Sequence, residues 1–137
     1  MKITNGNKGS TITIGHWNGG SSQLGKSARG IEKLEQIKHI LGNNNIDILG
    51  ITEANLQMDL DPCNYRIEGY DCLKSEGNIA RTVSYIKSNL NYKVCPNLMN
   101  DGCAENWVEI GSNKNKWQIG VFYRELKKTR GTKFRNF

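Results

Sequence analysis

A single carboxylate, Glu53, follows the apolar run Ile46, Ile48, Leu49, Gly50, Ile51 in the stretch GITEANL. A buried strand reads as a near-continuous apolar run, and ligand-facing groups sit just past its carboxyl end. Asn18 closes an earlier alternating stretch, and Tyr123 closes a late one. If the three strands are neighbours, the three side chains meet on one rim of a sheet. A carboxylate and a carboxamide there suit a hard divalent ion, because magnesium takes one or two protein carboxylates and fills its shell with waters and phosphate oxygens. Each residue also has a plainer reading. Glu53 can begin a surface loop, Asn18 can be a turn residue before Gly19 and Gly20, and Tyr123 can be an ordinary strand aromatic.

The elements that must position these groups are legible from periodicity. Ile12 and Ile14 alternate with Thr11 and Thr13, and the run to Trp17 predicts a strand that Gly19, Gly20, Ser21 and Ser22 break. From about Gly25 to Leu41, Ile31, Leu34, Ile37 and Leu41 recur at spacings of three and four among charged residues, which predicts an amphipathic helix. Gly42 with Asn43, Asn44 and Asn45 predicts its stop, and Ile46 to Thr52 the next strand. Residues 54–69 read as irregular. Short strands follow around Tyr70 to Leu73, Arg81 to Ile86, Trp107 to Ile110 and Gln118 to Tyr123, the last two joined by a hairpin turn at Asn113, Lys114 and Asn115.

Length and composition set the frame. A chain of 137 residues, 36% apolar and 23% charged, makes one domain at most and buries enough surface for a single core. The first residues have no continuous apolar segment of the secretory kind, and no later stretch approaches the roughly 18 apolar residues of a membrane span. The expectation is an intracellular protein, nuclear or cytoplasmic, not secreted and not in a membrane. Cys63, Cys72, Cys95 and Cys103 form no CxxC pair and are read as free thiols, and with two histidines, His16 and His39, a zinc site is not expected. The net charge of +6 is concentrated at Lys127, Lys128, Arg130, Lys133 and Arg135, with no acid among residues 127–137. Such a tail gives at most weak, nonspecific affinity for nucleic acid.

Arg81 leads a strand, where a solvated arginine is the common case. Lys26 and Arg29 near the helix start oppose the helix dipole and hint at an anion there. Trp17, Trp107 and Trp117 are read as core and rim packing, and both histidines as structural or exposed.

The segments ITIGHWNGG, KSARGIEKLEQIKHIL and IDILGITEANL, followed by ARTVSYIKSNLNYK, ENWVEI and IGVFYREL, resemble the endonuclease/exonuclease/phosphatase superfamily. Their order is most similar to endonuclease domains of non-LTR retrotransposons, and the resemblance covers residues 11–126. It departs at Ala54, where threonine is usual, and at Arg124 and Glu125, where a proline often follows the tyrosine; the second variant is itself retrotransposon-like.

The resemblance implies an α+β fold, part of a four-layer α/β sandwich of the DNase I-like kind, with a mixed, mostly antiparallel sheet and a flanking helix. Residues 1–10 would be a flexible lead-in, 11–126 the amino-terminal portion of the domain, and 127–137 the basic tail. It implies a magnesium-dependent phosphodiester hydrolase acting on DNA, with manganese as a substitute ion. Glu53 would be a metal ligand, Asn18 would sit beside it, and Tyr123 would lie near the scissile phosphate. The family's Gly-Asp-x-Asn and Ser-Asp-His segments, which supply the water-orienting Asp and the catalytic His, do not occur in these 137 residues. The expectation is therefore a truncated domain of very low or no activity, self-associating through an uncovered apolar sheet face. The competing readings are a noncatalytic remnant with weak nucleic-acid binding and a phosphatase of the same superfamily.

Overall fold

A computed structural model of the chain describes residues 2–4, 11–98, 104–111 and 114–123. Strand β1 (Lys2–Thr4) pairs antiparallel with β2 (Thr11–Asn18), so three residues of the segment expected to be a flexible lead-in are strand. The chain then forms helix α1 (Ser27–Asn44) and returns in β3 (Ile48–Gln57), parallel to β2 with Asn18 opposite Thr52. A parallel pair needs such a crossover, and the expected strand–helix–strand opening is present. Next come β4 (Tyr70–Lys74) and β5 (Ile79–Lys87), both antiparallel to their neighbours, giving a sheet of order β1-β2-β3-β5-β4. A second sheet is the antiparallel series β6 (Tyr92–Val94), β7 (Ala104–Gly111) and β8 (Lys116–Tyr123). The β7–β8 pair is the expected hairpin; Asn113 of its turn lies outside the described residues.

Successive residues of a strand face opposite sides. Leu49 and Ile51 of β3, with Val83 and Tyr85 of β5, face α1, where Leu34, Ile37 and Leu41 close one core. Ile12, Ile48 and Ile86 face the other way and pack with Val108 and Ile110 of β7. Burial of such side chains stabilises by roughly 1.5–3 kcal/mol each, so both faces of the first sheet are committed to packing. The molecule is thus helix on sheet on sheet. This corrects the expectation of an uncovered inner face, and with it the ground offered for self-association: the chain supplies its own second sheet. Between Ile14–His16 and Ile119–Phe122 that cover opens into a groove of about 460 Å³.

Two element boundaries differ from expectation for local reasons. Gly42, Asn43 and Asn44 continue α1, and Asn45 ends it with φ 48°. The Asn43 side chain bonds His39 and the Asn44 side chain donates to Ile40 O, one turn back, so these amides extend the last turn. Strand β3 does not stop at Glu53 but runs on to Gln57, and its register with β5 shifts between Thr52 and Leu56. The buried arc of α1 also differs from the apolar pattern. It comprises Gly30, Lys33, Leu34, Ile37 and Leu41, whereas Ile31 is 55% exposed.

Strand β6 was too short to show a period. Trp17 packs partly buried against the helix-side core, while Trp117 is exposed. Cys63, Cys72 and Cys95 are free, and Cys103 lies outside the described residues. Among the described residues no helix is long and apolar enough to cross a membrane.

Candidate active site

The break in β3 is where the chemistry-bearing groups gather. Glu53 and Asn55 both have left-handed backbone, φ 55° and 52°, on either side of Ala54. For residues other than glycine that conformation is unfavourable, and such positions cluster at functional sites where surrounding contacts hold them. A bulge of this kind re-aims side chains beside active sites. Here it turns the Glu53 carboxylate to the Tyr123 hydroxyl, which donates to Glu53 Oε1 at 3.1 Å.

Tyr123 reaches Glu53 from the other sheet, not from a neighbouring strand of the same one as the sequence reading supposed. The approach depends on Gly50. A Cβ there would lie 2.5 Å from Val121 Cγ2, so only glycine lets β8 pack so closely over β3. Val121 and Tyr123 lie on the same face of β8, and Gly50 stands three residues before Glu53.

Asn18 is brought beside the bulge by register with Thr52, is exposed, and its Oδ1 accepts from Gly20 N at 3.0 Å. The turn role and the position at the site therefore coincide. His16, two residues back on the same face of β2, is exposed, and its Nε2 shares a hydrogen bond with Thr52 Oγ1 at 3.1 Å. Arg81 is not a simply solvated strand-start residue: its Nη1 donates to Asn55 Oδ1 at 2.8 Å, and Asn55 Nδ2 donates to Ser21 O at 3.1 Å. Lys26 at the helix start donates to Gln57 Oε1.

Sequence reasoning missed Lys33, which it had placed among the polar residues of the helix. The side chain is 2% exposed. Its Nζ donates to Gly20 O at 2.9 Å, Ser22 O at 2.6 Å and Glu53 O at 2.7 Å, which uses all three ammonium hydrogens. Burial pulls its pKa down from 10.5 to about 8, with the Glu53 charge acting in the opposite sense. The signal was available: Gly30, Lys33, Ile37 and Leu41 are spaced by three, four and four, so Lys33 occupies a core-facing slot of the helix.

Among the described residues no group of three or more His, Cys, Asp or Glu side chains is placed to hold a metal ion. The donor set at the bulge, one carboxylate with a carboxamide and a phenol nearby, suits a hard cation that keeps most of its waters. It does not suit a soft or fully caged one. Lys127, Lys128, Arg130, Lys133 and Arg135 lie outside the described residues, as do Arg124 and Glu125.

Two sheets packed face to face with a helix on the outside, and an acid at a strand break on their rim, have the architecture of a DNase I-like endonuclease fold. The structure is similar to the endonuclease domain of TRAS1, a telomere-specific non-LTR retrotransposon, with a TM-score of 0.57 and 13% sequence identity over 85% of this chain. The likeness covers 47% of that chain, so this protein spans about half the length of the solved domain, and at this identity the likeness is one of fold. No family model matches the sequence, and no curated protein matches it.

Proposed function

We propose that the chain carries the metal side of a magnesium-dependent phosphodiester hydrolase site of the DNA endonuclease kind. The observation that supports this most is the meeting of Glu53, on a left-handed bulge, with Tyr123 from the facing sheet. Bound to Glu53, magnesium or manganese would stabilise charge on the leaving 3′ oxygen of the DNA strand. Tyr123 holds the Glu53 carboxylate in one orientation and lies where the phosphate would approach. Asn18 Oδ1 keeps a lone pair beyond the one Gly20 uses, available to a metal-bound water.

Cleavage also requires a positioned, deprotonated water. The family segments that would provide it are not among these 137 residues, and neither His16 nor His39 matches them. General-base assistance is typically worth 10²- to 10⁴-fold, so nicking by this polypeptide alone should be lower by at least that factor. Metal binding is therefore the better test. Titrated with Mn²⁺ and followed by the EPR signal of free ion, the protein should bind one ion that Glu53→Gln loses. Equal binding by the two proteins would remove the reading, and any plasmid nicking that survives EDTA would argue for contamination.

A second reading is favoured by the run of five basic residues without an acid at 127–137. In it the chain is noncatalytic and holds nucleic acid weakly through phosphate contacts alone.

A further inference from the structure

The segment that follows Asn18 and the bulge of β3 that carries Glu53 are held together from beneath by one buried side chain. After Asn18 the chain runs through Gly19 to Ser22; after Thr52 it enters the bulge. Lys33 rises from α1 between them, and its ammonium donates to Gly20 O and Ser22 O on one side and to Glu53 O on the other. Its stem passes directly under Gly19, where a Cβ would lie 2.3 Å from Lys33 Cε. Two backbone bonds reinforce the same seam, Gly19 N to Thr52 O at 3.1 Å and Leu24 N to Ala54 O at 3.0 Å. Neither touches the Glu53 peptide carbonyl, which accepts from Lys33 on a residue with left-handed φ. Asn55 Nδ2 ties Ser21 to the far side of the bulge.

A surface lysine would not be spent this way. Burying an ammonium is unfavourable unless its hydrogens are all bonded, and here three carbonyls on two separate segments satisfy it. Removing the amine would leave those carbonyls unpaired and free the Glu53 peptide to relax from the left-handed region. That relaxation would swing the carboxylate away from Tyr123 and from the Asn18 side of the rim.

We infer that Lys33 is the positioning residue of the candidate metal site: its ammonium fixes the Glu53 backbone and the Asn18 turn in the relative placement that lets them share one divalent ion. The inference rests on the metal-site reading above, and it assigns Lys33 no contact with the ion or the substrate.

The experiment compares Mn²⁺ affinity in the full chain, its Lys33→Met, Glu53→Gln and Leu34→Ala variants, at a temperature where circular dichroism shows each folded. Leu34 is the next residue of α1, buried in the helix-side core and without polar contacts, so Leu34→Ala reports the effect of lost stability alone. The expected result is at least a tenfold loss of Mn²⁺ affinity in Lys33→Met with less than a twofold change in Leu34→Ala. Wild-type affinity in Lys33→Met, or an equal loss in Leu34→Ala, overturns the inference while leaving the metal site in place. Binding that Glu53→Gln does not reduce overturns the metal-site reading itself, and the inference with it. Should Lys33→Met fail to fold, Lys33→Arg decides, because its broader head cannot meet all three carbonyls from beneath Gly19; a several-fold affinity loss is expected, and unchanged affinity overturns the role.

Discussion

The hydroxyl of Tyr123 and the carboxylate of Glu53, 70 positions apart in the chain and on different sheets, are joined by a hydrogen bond of 3.1 Å. That single bond links the packing of β8 to the orientation of the candidate ligand. A bond to a charged acceptor at a partly buried site contributes about 1–2 kcal/mol. Tyr123→Phe keeps the ring and removes the bond. It should lower unfolding free energy in urea by about that amount and weaken Mn²⁺ binding several-fold, because the carboxylate regains its rotamer freedom. Unchanged binding would show that the site does not need the tyrosine.

Close approach of β8 to β3 depends on the absence of a side chain at Gly50. In Gly50→Ala the new Cβ meets the Val121 methyl carbons 2.5 and 2.6 Å away, a distance the interior cannot absorb without moving a strand. Overpacking of this kind costs about 1–3 kcal/mol. Val121→Ala should relieve much of it, so the double variant should be more stable than the sum of the single effects predicts, by at least 0.5 kcal/mol in a double-mutant cycle of urea melts. Simple additivity would mean that the sheets adjust elsewhere.

Glu53 holds a backbone conformation that glycine adopts freely. If the bulge is maintained for the sake of the carboxylate, stability and metal binding should separate at this position. Glu53→Gly should be about 1 kcal/mol more stable than Glu53→Ala, since both lose the Tyr123 bond but only alanine keeps the left-handed penalty. Both should lose Mn²⁺ binding. A glycine variant no more stable than the alanine one would indicate that the bulge relaxes once the carboxylate is gone.

Lys33 gives the fold a pH signature. Its pKa is about 8 in the folded chain against 10.5 for an ordinary lysine, owing first to burial. Between those values the unfolded chain keeps a proton that the folded chain has released, so this residue makes stability rise with pH from about 8 to 10.5. Below 8 its contribution is flat. Cys72 acts in the opposite sense: burial raises its thiol from 9.0 to about 12, so above pH 9 the unfolded chain loses a proton that the folded one retains and stability falls. The cleanest window is therefore pH 8 to 9. There the difference between wild-type and Lys33→Met unfolding free energies should climb with pH in favour of the wild type, and a flat difference would mean that the amine is solvated.

How far these features could be read in advance varied with the range of the interactions that set them. Strand β2, helix α1 and the start of β3 follow from the spacing of Ile12 and Ile14, of Leu34, Ile37 and Leu41, and of Ile48, Leu49 and Ile51, which is local information. Glu53 and Asn18 stood out because they close such runs. Nothing local says that Tyr123 comes from a separate sheet, because strand order is decided by which faces find partners across the core. The continuation of β3 to Gln57 was hidden for a similar reason. Ala54 and Leu56 read as loop until Leu24, Ala80 and the helix-side core are known to surround them. Lys33 shows the opposite failure: its spacing was right for the core, and its charge concealed it.

The basic run at 127–137 separates the two functional readings by salt dependence. Five cations that each neutralise a phosphate of duplex DNA steepen the fall of log K with log salt by up to about 4.5. Deleting residues 127–137 should flatten that dependence and weaken binding to DNA of any sequence alike, since phosphate contacts carry no sequence information. Mn²⁺ binding, which the proposed function assigns to Glu53 on a bulge far from the tail in sequence, should be untouched by the deletion. If DNA binding instead persists at its original salt slope, the phosphate-binding groups belong to the folded rim, where Arg81 and Asn18 flank the bulge, and the noncatalytic reading loses the only surface on which it rests. If DNA binding vanishes and Mn²⁺ binding was never present, the tail is what remains of the chain's function.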